Sequence, residues 1–452
     1  MGSASAATFV HLSDIHFGQE RDGGDVKINE DVKDRLIEDA KIEIAKLGRR
    51  ASGIIVTGDI AYSGKSDEYK VAGMWLDRLA EAVGCTKVDV QLIPGNHDID
   101  RDKITIAIEC ILDAIRDKGH ATLDPLLDNE SDCALLYTRF EAYRDFAYDY
   151  DSELDIKGGI ANSGLVHLAE RRSIRFVRLN SALICSKMDD EGRLILGKRQ
   201  QVLPRVTGEE IVLLVHHPLS WYQDSEEARK YIRKRARVVI SGHEHFPGLI
   251  VEKVDDERDL LMLAAGATNP GKVDEVYTYK YNILTFEWDE ENDSLAVSIN
   301  PRSWNADDVD FQRDDKFMEG KDERQVLASP NFRGASKPSA NTKAISSDPE
   351  NVPKVIASPP LQPEDTTVDG GVKQTEDPTV DEKILQLVFF RELTEGERLQ
   401  VFVALGAISK DFGSVLDHAM QRRLFRLLIK RGHRNAIEEI VSAAGKKKGT
   451  MQ

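Results

Sequence analysis

The sequence predicts an α/β protein that begins parallel, continues as mixed or antiparallel sheet, and ends in a small all-α domain. Three observations predict it. First, the apolar run 8–12 is followed by helical spacing at Val32, Leu36, Ile37, Ala40, Ile44 and Leu47, then by a second run, 53–57. A strand, a helix and a strand this close together make a βαβ unit. Second, the runs 260–265, 281–288 and 295–299 follow one another without helical spacing, so the sheet there turns mixed or antiparallel. Third, eight of the 15 prolines lie between Pro330 and Pro378, where Phe332 is the only aromatic residue, and helical spacing returns after 381. Such a stretch cannot bury enough surface to fold and is expected to be a disordered linker over 330–380.

Composition bounds the rest. A chain of 452 residues with 41% hydrophobic and 31% charged content has room for two domains. No run approaches the roughly 18 apolar residues of a membrane span, so no membrane association is expected. The start, MGSASAATFV, lacks the basic and apolar regions of a secretory signal. Cys85, Cys110, Cys133 and Cys185 are scattered, which fits a reducing, cytoplasmic setting. Net charge is −17, but residues 381–452 are locally +4, leaving −21 on residues 1–380. That acidic body disfavours tight binding of long nucleic acid. A small phosphorylated substrate stays compatible with it, because bound dications reverse the local field.

The elements in order carry polar clusters at their ends. After the first run come Asp14 and His16, which point the same way in an extended segment. The second run ends in Gly58-Asp59. The third, 88–93, ends in Pro94-Gly95-Asn96-His97-Asp98, where an amide, an imidazole and a carboxylate crowd one loop. Asn96 can offer its carbonyl oxygen to a metal, while His97 handles a proton and Asp98 orients the ring. Residues 104–115 show helical spacing, 137–150 carry a run of aromatic residues, and a helical insertion is expected over 101–165. Its aromatic residues, Tyr137 to Tyr150, are read as packing it onto the body rather than lining a pocket. Further strands at 173–179, 211–215 and 237–240 lead to His216-His217 and to Gly242-His243-Glu244-His245. A lone DxH pair arises often by chance, and a lone histidine is more often a core residue. Seven ligand-type residues at successive strand ends have no such structural explanation. Oxygen and imidazole donors without thiolate suit a pair of first-row divalent ions.

In this order DxH, GD, GNHD, a later His and GHxH resemble the calcineurin-like metallophosphoesterase superfamily over residues 8–300. The resemblance implies a two-sheet αββα sandwich, a catalytic domain over 1–329, and two metals at its edge. It implies Asp14, His16 and His245 on one ion, Asn96, His216 and His243 on the other, and Asp59 bridging. His97 would contact the phosphate or protonate the leaving oxygen, with Asp98 as its partner. Manganese leads the implied metals, with Fe, Zn and Ni as alternatives. Phosphate ester hydrolysis needs hydroxide at neutral pH, charge relief and a proton for the leaving group, and two ions with a nearby imidazole meet those needs.

Departures narrow the class. Gly58-Asp59-Ile60-Ala61-Tyr62 and GNHD differ from the protein Ser/Thr phosphatases, which counts against a phosphoprotein substrate. Tyr62 stands where purple acid phosphatases place a tyrosine ligand, but those enzymes lack the histidine of DxH and His16 is present, so Tyr62 is read as supporting the ligands from behind or as packing. His217 is read as lying outside the ligand set. The pattern is most similar to bacterial phosphodiesterases acting on cyclic nucleotides and other small diesters. Helices expected at 384–390, 395–405, 418–429 and 435–443 form a domain over 381–445 that resembles effector-associated, death-like adaptor domains. The expected function is therefore a dinuclear phosphodiesterase whose C-terminal domain recruits a protein partner. The alternative is a nuclease effector of a bacterial defence system controlled through that domain. Deleting 331–452 is expected to spare small-ester hydrolysis.

Overall fold

The computed structural model describes residues 5–22, 26–255, 258–270 and 278–336, and then 382, 385–386, 388–390, 393, 395–408 and 418–449. Among these, thirteen strands form two sheets: β1 (Ala7–Leu12), β2 (Gly53–Val56), β3 (Val90–Leu92), β4 (Ala161–Ala169), β5 (Arg172–Arg178), β6 (Glu209–Leu214), β7 (Ala236–Ser241), β8 (Gly248–Asp255), β9 (Arg258–Ala264), β10 (Lys280–Asp289), β11 (Ser294–Asn305), β12 (Asp310–Arg313) and β13 (Arg324–Leu327). The first sheet runs β12-β11-β10-β1-β2-β3, with β13 also on β11. Its β1, β2 and β3 are parallel and β10 is antiparallel to β1. The second runs β4-β5-β6-β7-β9-β8, parallel from β5 to β9 with antiparallel edges.

Period-two alternation builds the layers. Phe9, Ile55, Val212 and Leu214 point into the core between the sheets. Their neighbours Val10, Ile54 and Val56 face outward under the helices Val26–Lys46 and Ser66–Val83. Leu213 and Val215 face outward under the helical insertion. Phe9, Phe176 and Phe286 meet edge to face at 5.0–5.9 Å and join the sheets. Fully burying a side chain of this size contributes about 1.5–3 kcal/mol. This is the expected αββα sandwich.

The insertion consists of the helices Ile106–Lys118, His120–Asp128, Glu130–Tyr137 and Glu141–Tyr148. Its aromatic residues pack as expected: Tyr137 and Phe140 join the second sheet's outer core, and Tyr143, Phe146 and Tyr150 the first's. Arg139 is fully buried and fastens the insertion by donating to the carbonyls of Leu136, Leu183 and Cys185. Burial pulls its pKa down to about 10.

Two expected boundaries need correction, and two elements escape the sequence reading. The insertion cannot extend to 165, because β4 begins at Ala161 and pairs with β5. The linker cannot begin at 330, because Pro330–Ser336 is a helix whose Phe332 is fully buried in the inter-sheet core. The rest of the expected linker, 337–380, lies outside the described residues. The expected elements also omit the helix Ser66–Val83, although Tyr69, Ala72, Leu76, Leu79 and Val83 follow helical spacing and are buried. The strand β8 is missed as well; it is a sheet edge whose side chains are mostly part-exposed, so it lacks a strong apolar run.

At the C-terminal end the helices Glu395–Ala404, His418–Lys430 and Arg434–Gly449 pack around Phe389, Phe402, Phe425 and Leu428. Within the expected 384–390 helix, residues 385–386 and 388–390 are helical, and the rest of that stretch lies outside the described residues. Gly432, at φ 83, takes the left-handed turn that separates the last two helices.

Candidate metal centre

The parallel strands point their carboxyl ends at one edge of the sandwich, where ligands collect in such sheets. β1 delivers Asp14 and His16, β2 Asp59, β3 Asn96, β6 His216, and β7 His243 and His245. Five of the nine described non-glycine residues with positive φ are Asp14, His16, Asp59, His243 and His245. Left-handed backbone is costly for such residues, so its concentration here marks loops shaped for side-chain placement. Gly95 serves the same end: a Cβ there would collide with Asp59 Oδ1 and His216 Nε2.

All seven expected ligand residues come together. His245 Nε2 lies 3.2 Å from Asp14 Oδ1. Asp59 Oδ2 is shared, at 3.3 Å from His16 Nε2 and 3.4 Å from His216 Nε2. Asn96 Oδ1 is likewise shared, at 3.2 Å from His216 Nε2 and 3.0 Å from His243 Nδ1. His217 also falls within ligand distance of His216 and His243. Its Nδ1 and backbone N–H are instead engaged by Ser181 Oγ at 2.9 and 3.2 Å. Burial, then the neighbouring His216 and His243, hold its pKa well below the usual range.

The donors face each other in a way that calls for cations. His216 Nδ1 donates to the Thr57 carbonyl at 2.7 Å, so Nε2 is the atom turned toward a carboxylate. His16 does the same, with Nδ1 against the Asn269 carbonyl at 3.4 Å. Asp14 Oδ1 is fully buried and faces His245 Nε2. Carboxylates crowded into a dry site are costly unless positive charge, from a protonated imidazole or a bound cation, sits beside them. The titration shifts express the same demand. Burial alone would lower the His216 pKa, but Asp59 and Asp14 raise it to about 9. Asp59 is held well below the carboxylate range by His216 and His97 against the effect of burial. His243, buried and beside His216, falls to about 4. Oxygen and imidazole donors in these positions fit two divalent ions.

His97 stands at the rim. Its Nδ1 donates to the Tyr62 carbonyl at 2.7 Å, its ring stacks on Tyr62 at 5.2 Å, and its backbone N–H holds Asp59 Oδ1 at 2.8 Å. Burial lowers its pKa, with Asp59 opposing. The expected pairing of Asp98 with His97 is therefore corrected. Asp98 is fully buried and accepts from the backbone N–H groups of Ile60, Ala61 and Gly95 and from the Tyr69 hydroxyl, at 2.9–3.2 Å. It clamps the GD loop to the GNHD loop, and the Tyr62 carbonyl orients the imidazole instead. Burial and the Asp59 charge push the Asp98 pKa up to about 6.

Sequence reasoning missed the supporting groups. Ser13 Oγ donates to Asp14 Oδ2 at 2.5 Å, and the Thr57 and Asn269 carbonyls fix two imidazoles. Ser13 and Thr57 adjoin ligand motifs and were within reach. Asn269 had no signal, because any residue carries a backbone carbonyl.

Residues 7–247, more than half of the chain, match the family described as calcineurin-like phosphoesterase. The chain belongs to the calcineurin-like phosphoesterase family. Residues 381–443 match the GTPase-associated adaptor domain, which agrees with the adaptor resemblance of that region. A Bacillus subtilis (strain 168) protein, described as the uncharacterized metallophosphoesterase-like protein YydB, is 24% identical over 273 residues, 57% of this chain and 53% of that one. The chain thus spans about half the length of this relative. Among solved structures, the purple acid phosphatase PPD1 of yellow lupin (Lupinus luteus) seeds gives a TM-score of 0.41 at 11% identity, covering 76% of this phosphoesterase chain and 58% of that one. A Streptococcus pneumoniae TIGR4 protein described as a predicted phosphoesterase gives 0.29 at 9% identity, over 72% and 99%.

Proposed function

We propose that this chain is a metal-dependent phosphodiesterase that hydrolyses a nucleotide-type or other small phosphodiester, with residues 381–445 recruiting a protein partner. The observation that carries it is the shared Asp59 Oδ2, which lies 3.3 and 3.4 Å from imidazoles of two different sheets. Asp14, His16 and His245 would hold one ion, Asn96, His216 and His243 the other, and Asp59 both. Divalent cations bound there supply Lewis acidity toward the phosphoryl group and activate water at neutral pH. Manganese is the first choice for the metal.

The chain's own residues do the remaining work. Asp59 is placed by the His97 N–H, so the bridging carboxylate and the proton donor are positioned together. The Tyr62 carbonyl holds His97 Nδ1–H, so in the imidazolium form the Nε2 proton is the one passed to the leaving oxygen, and the ring returns to its neutral state with Nδ1–H still in place. Asp98, by gathering three backbone N–H groups, keeps both loops in register. The adaptor-like region supports partner recruitment through the match of residues 381–443.

Metal analysis of the purified protein, followed by a panel of monoester, aryl diester, cyclic nucleotides and single-stranded DNA, tests this reading. Two metal equivalents and turnover of small diesters above the monoester are expected. Cleavage of DNA without small-diester turnover would replace it with a nuclease.

A further inference from the structure

Arg422 belongs to the basic helix His418–Lys430, yet its side chain is only 4% exposed. What covers it is the catalytic domain. The guanidinium lies over the Tyr148 ring, 4.1 Å from the centroid, and 5.3 Å from the Phe390 ring of its own domain. It is 3.1 Å from Glu153 and 3.8 Å from Asp151, and it donates to the Tyr148 carbonyl. A planar cation held between aromatic faces and met by carboxylates is the composition of an interface hot spot. Beside it a cavity of about 540 Å³ separates Tyr69 and Phe146 on the body from Phe390 and Arg398 on the helical domain.

We propose that Arg422 anchors the C-terminal domain on the end of the helical insertion, and that the recruited partner competes for this same face. The partner is then a protein surface with paired carboxylates beside an aromatic ring, the chemistry that Tyr148, Asp151 and Glu153 supply within the chain. Arg426 and Lys430 follow on the same helix, with Arg431 in the turn after it, and extend the basic face such a surface would meet. Release at this point would also be felt near the metal centre. Phe146 stacks on Tyr69 at 4.9 Å, and the Tyr69 hydroxyl donates to Asp98 Oδ1 at 2.9 Å. The partner's identity as a competitor rests on the recruitment reading above; the anchor itself is measured on the isolated full-length chain.

Small-angle scattering and amide hydrogen exchange across residues 141–153 test the anchor in Arg422→Glu, Glu153→Arg and the double exchange. Each single variant should enlarge the radius of gyration and speed exchange in that segment at least about tenfold, as expected for losing a desolvated charge pair. The double exchange should restore both. If Arg422→Glu loses helical circular dichroism, Glu153→Arg, which lies on the catalytic body, carries the test. Single variants that match the wild type in size and exchange would overturn the anchor, and undocking without restoration would overturn the Arg422–Glu153 pairing. A failure of the phosphodiesterase reading shows separately, as absent turnover in the wild-type protein.

Discussion

The two sheets reach the metal centre with different chemistry. The first sheet brings both carboxylates, the amide and one imidazole: Asp14, Asp59, Asn96 and His16. The second brings imidazoles only, His216, His243 and His245. All the negative charge therefore sits on one side, buried and tied to backbone N–H groups, while the other side offers imidazole nitrogens. Neither sheet alone holds a complete donor set. The centre exists only when the inter-sheet core around Phe9, Phe176 and Phe286 closes, which makes folding and metal binding one linked equilibrium.

The strongest way to break this comparison is to remove charge from the anionic side. Asp59→Asn should keep the fold but lower turnover roughly a thousandfold or more, since several kcal/mol of charge stabilisation go with it. His245→Ala, an imidazole 28% exposed at the edge of the second sheet, should cost clearly less. Equal losses in diester turnover and metal content would erase the distinction between the halves. Next in size is His97→Ala, on the first sheet's loops and proposed above as the proton donor rather than a ligand. Metal content should stay at wild-type level while turnover of esters with poor leaving groups falls ~10²–10⁴-fold. An activated aryl ester should suffer less, and equal losses on both would assign His97 to phosphate positioning.

Stability separates the sheets in a different way. Phe332 plugs the core from the helix Pro330–Ser336, so Phe332→Ala should cost about 3–5 kcal/mol by denaturant titration. Deleting 337–452 should leave small-ester turnover near wild type, whereas deleting from 331 should lose that core residue and lower the melting temperature. An unaffected melting temperature in the second truncation would place Phe332 outside the core.

The smallest effect concerns the buried face of the first sheet beneath its carboxylates. His11 is fully buried between Thr57 and Asn282, and burial lowers its pKa to about 3, with Asp14 opposing. Between pH about 6.5 and about 3 the unfolded chain binds a proton there that the folded chain does not. Its contribution to stability is complete above pH 6.5 and is lost as pH falls through that window. His11→Gln should flatten the acid limb of the stability profile, and an unchanged slope would show that other groups set it.

Much of the candidate site was legible because its proposed metal ligands follow their strands directly. Asp14, His16, Asp59, Asn96, His216, His243 and His245 each stand within a few residues of an apolar run, so local pattern alone located them. The role of Asp98 was not legible. Its position beside His97 invited a pairing, whereas its carboxylate reaches back to Ile60 and Ala61, some 38 residues away. The same limit hid the ends of the insertion and of the catalytic domain. β4 is recognisable only through its pairing with β5, and the helix at 330 only through the core that Phe332 fills.

By itself the sequence determined the layered α/β fold, the order of the ligand-bearing loops and the kinds of donor they carry. Those properties depend on side-chain periodicity and on residues close together along the chain. Only the tertiary structure decided which oxygen meets which nitrogen. Asp14 and His245 are 231 positions apart and belong to different sheets, and their 3.2 Å approach is set by how the two sheets pack. It also decided that Arg422, one more charge in a basic helix by sequence, is buried against Tyr148 and Glu153. Burial of a charge depends on the surface brought against it, and that surface is supplied by a residue some 270 positions earlier.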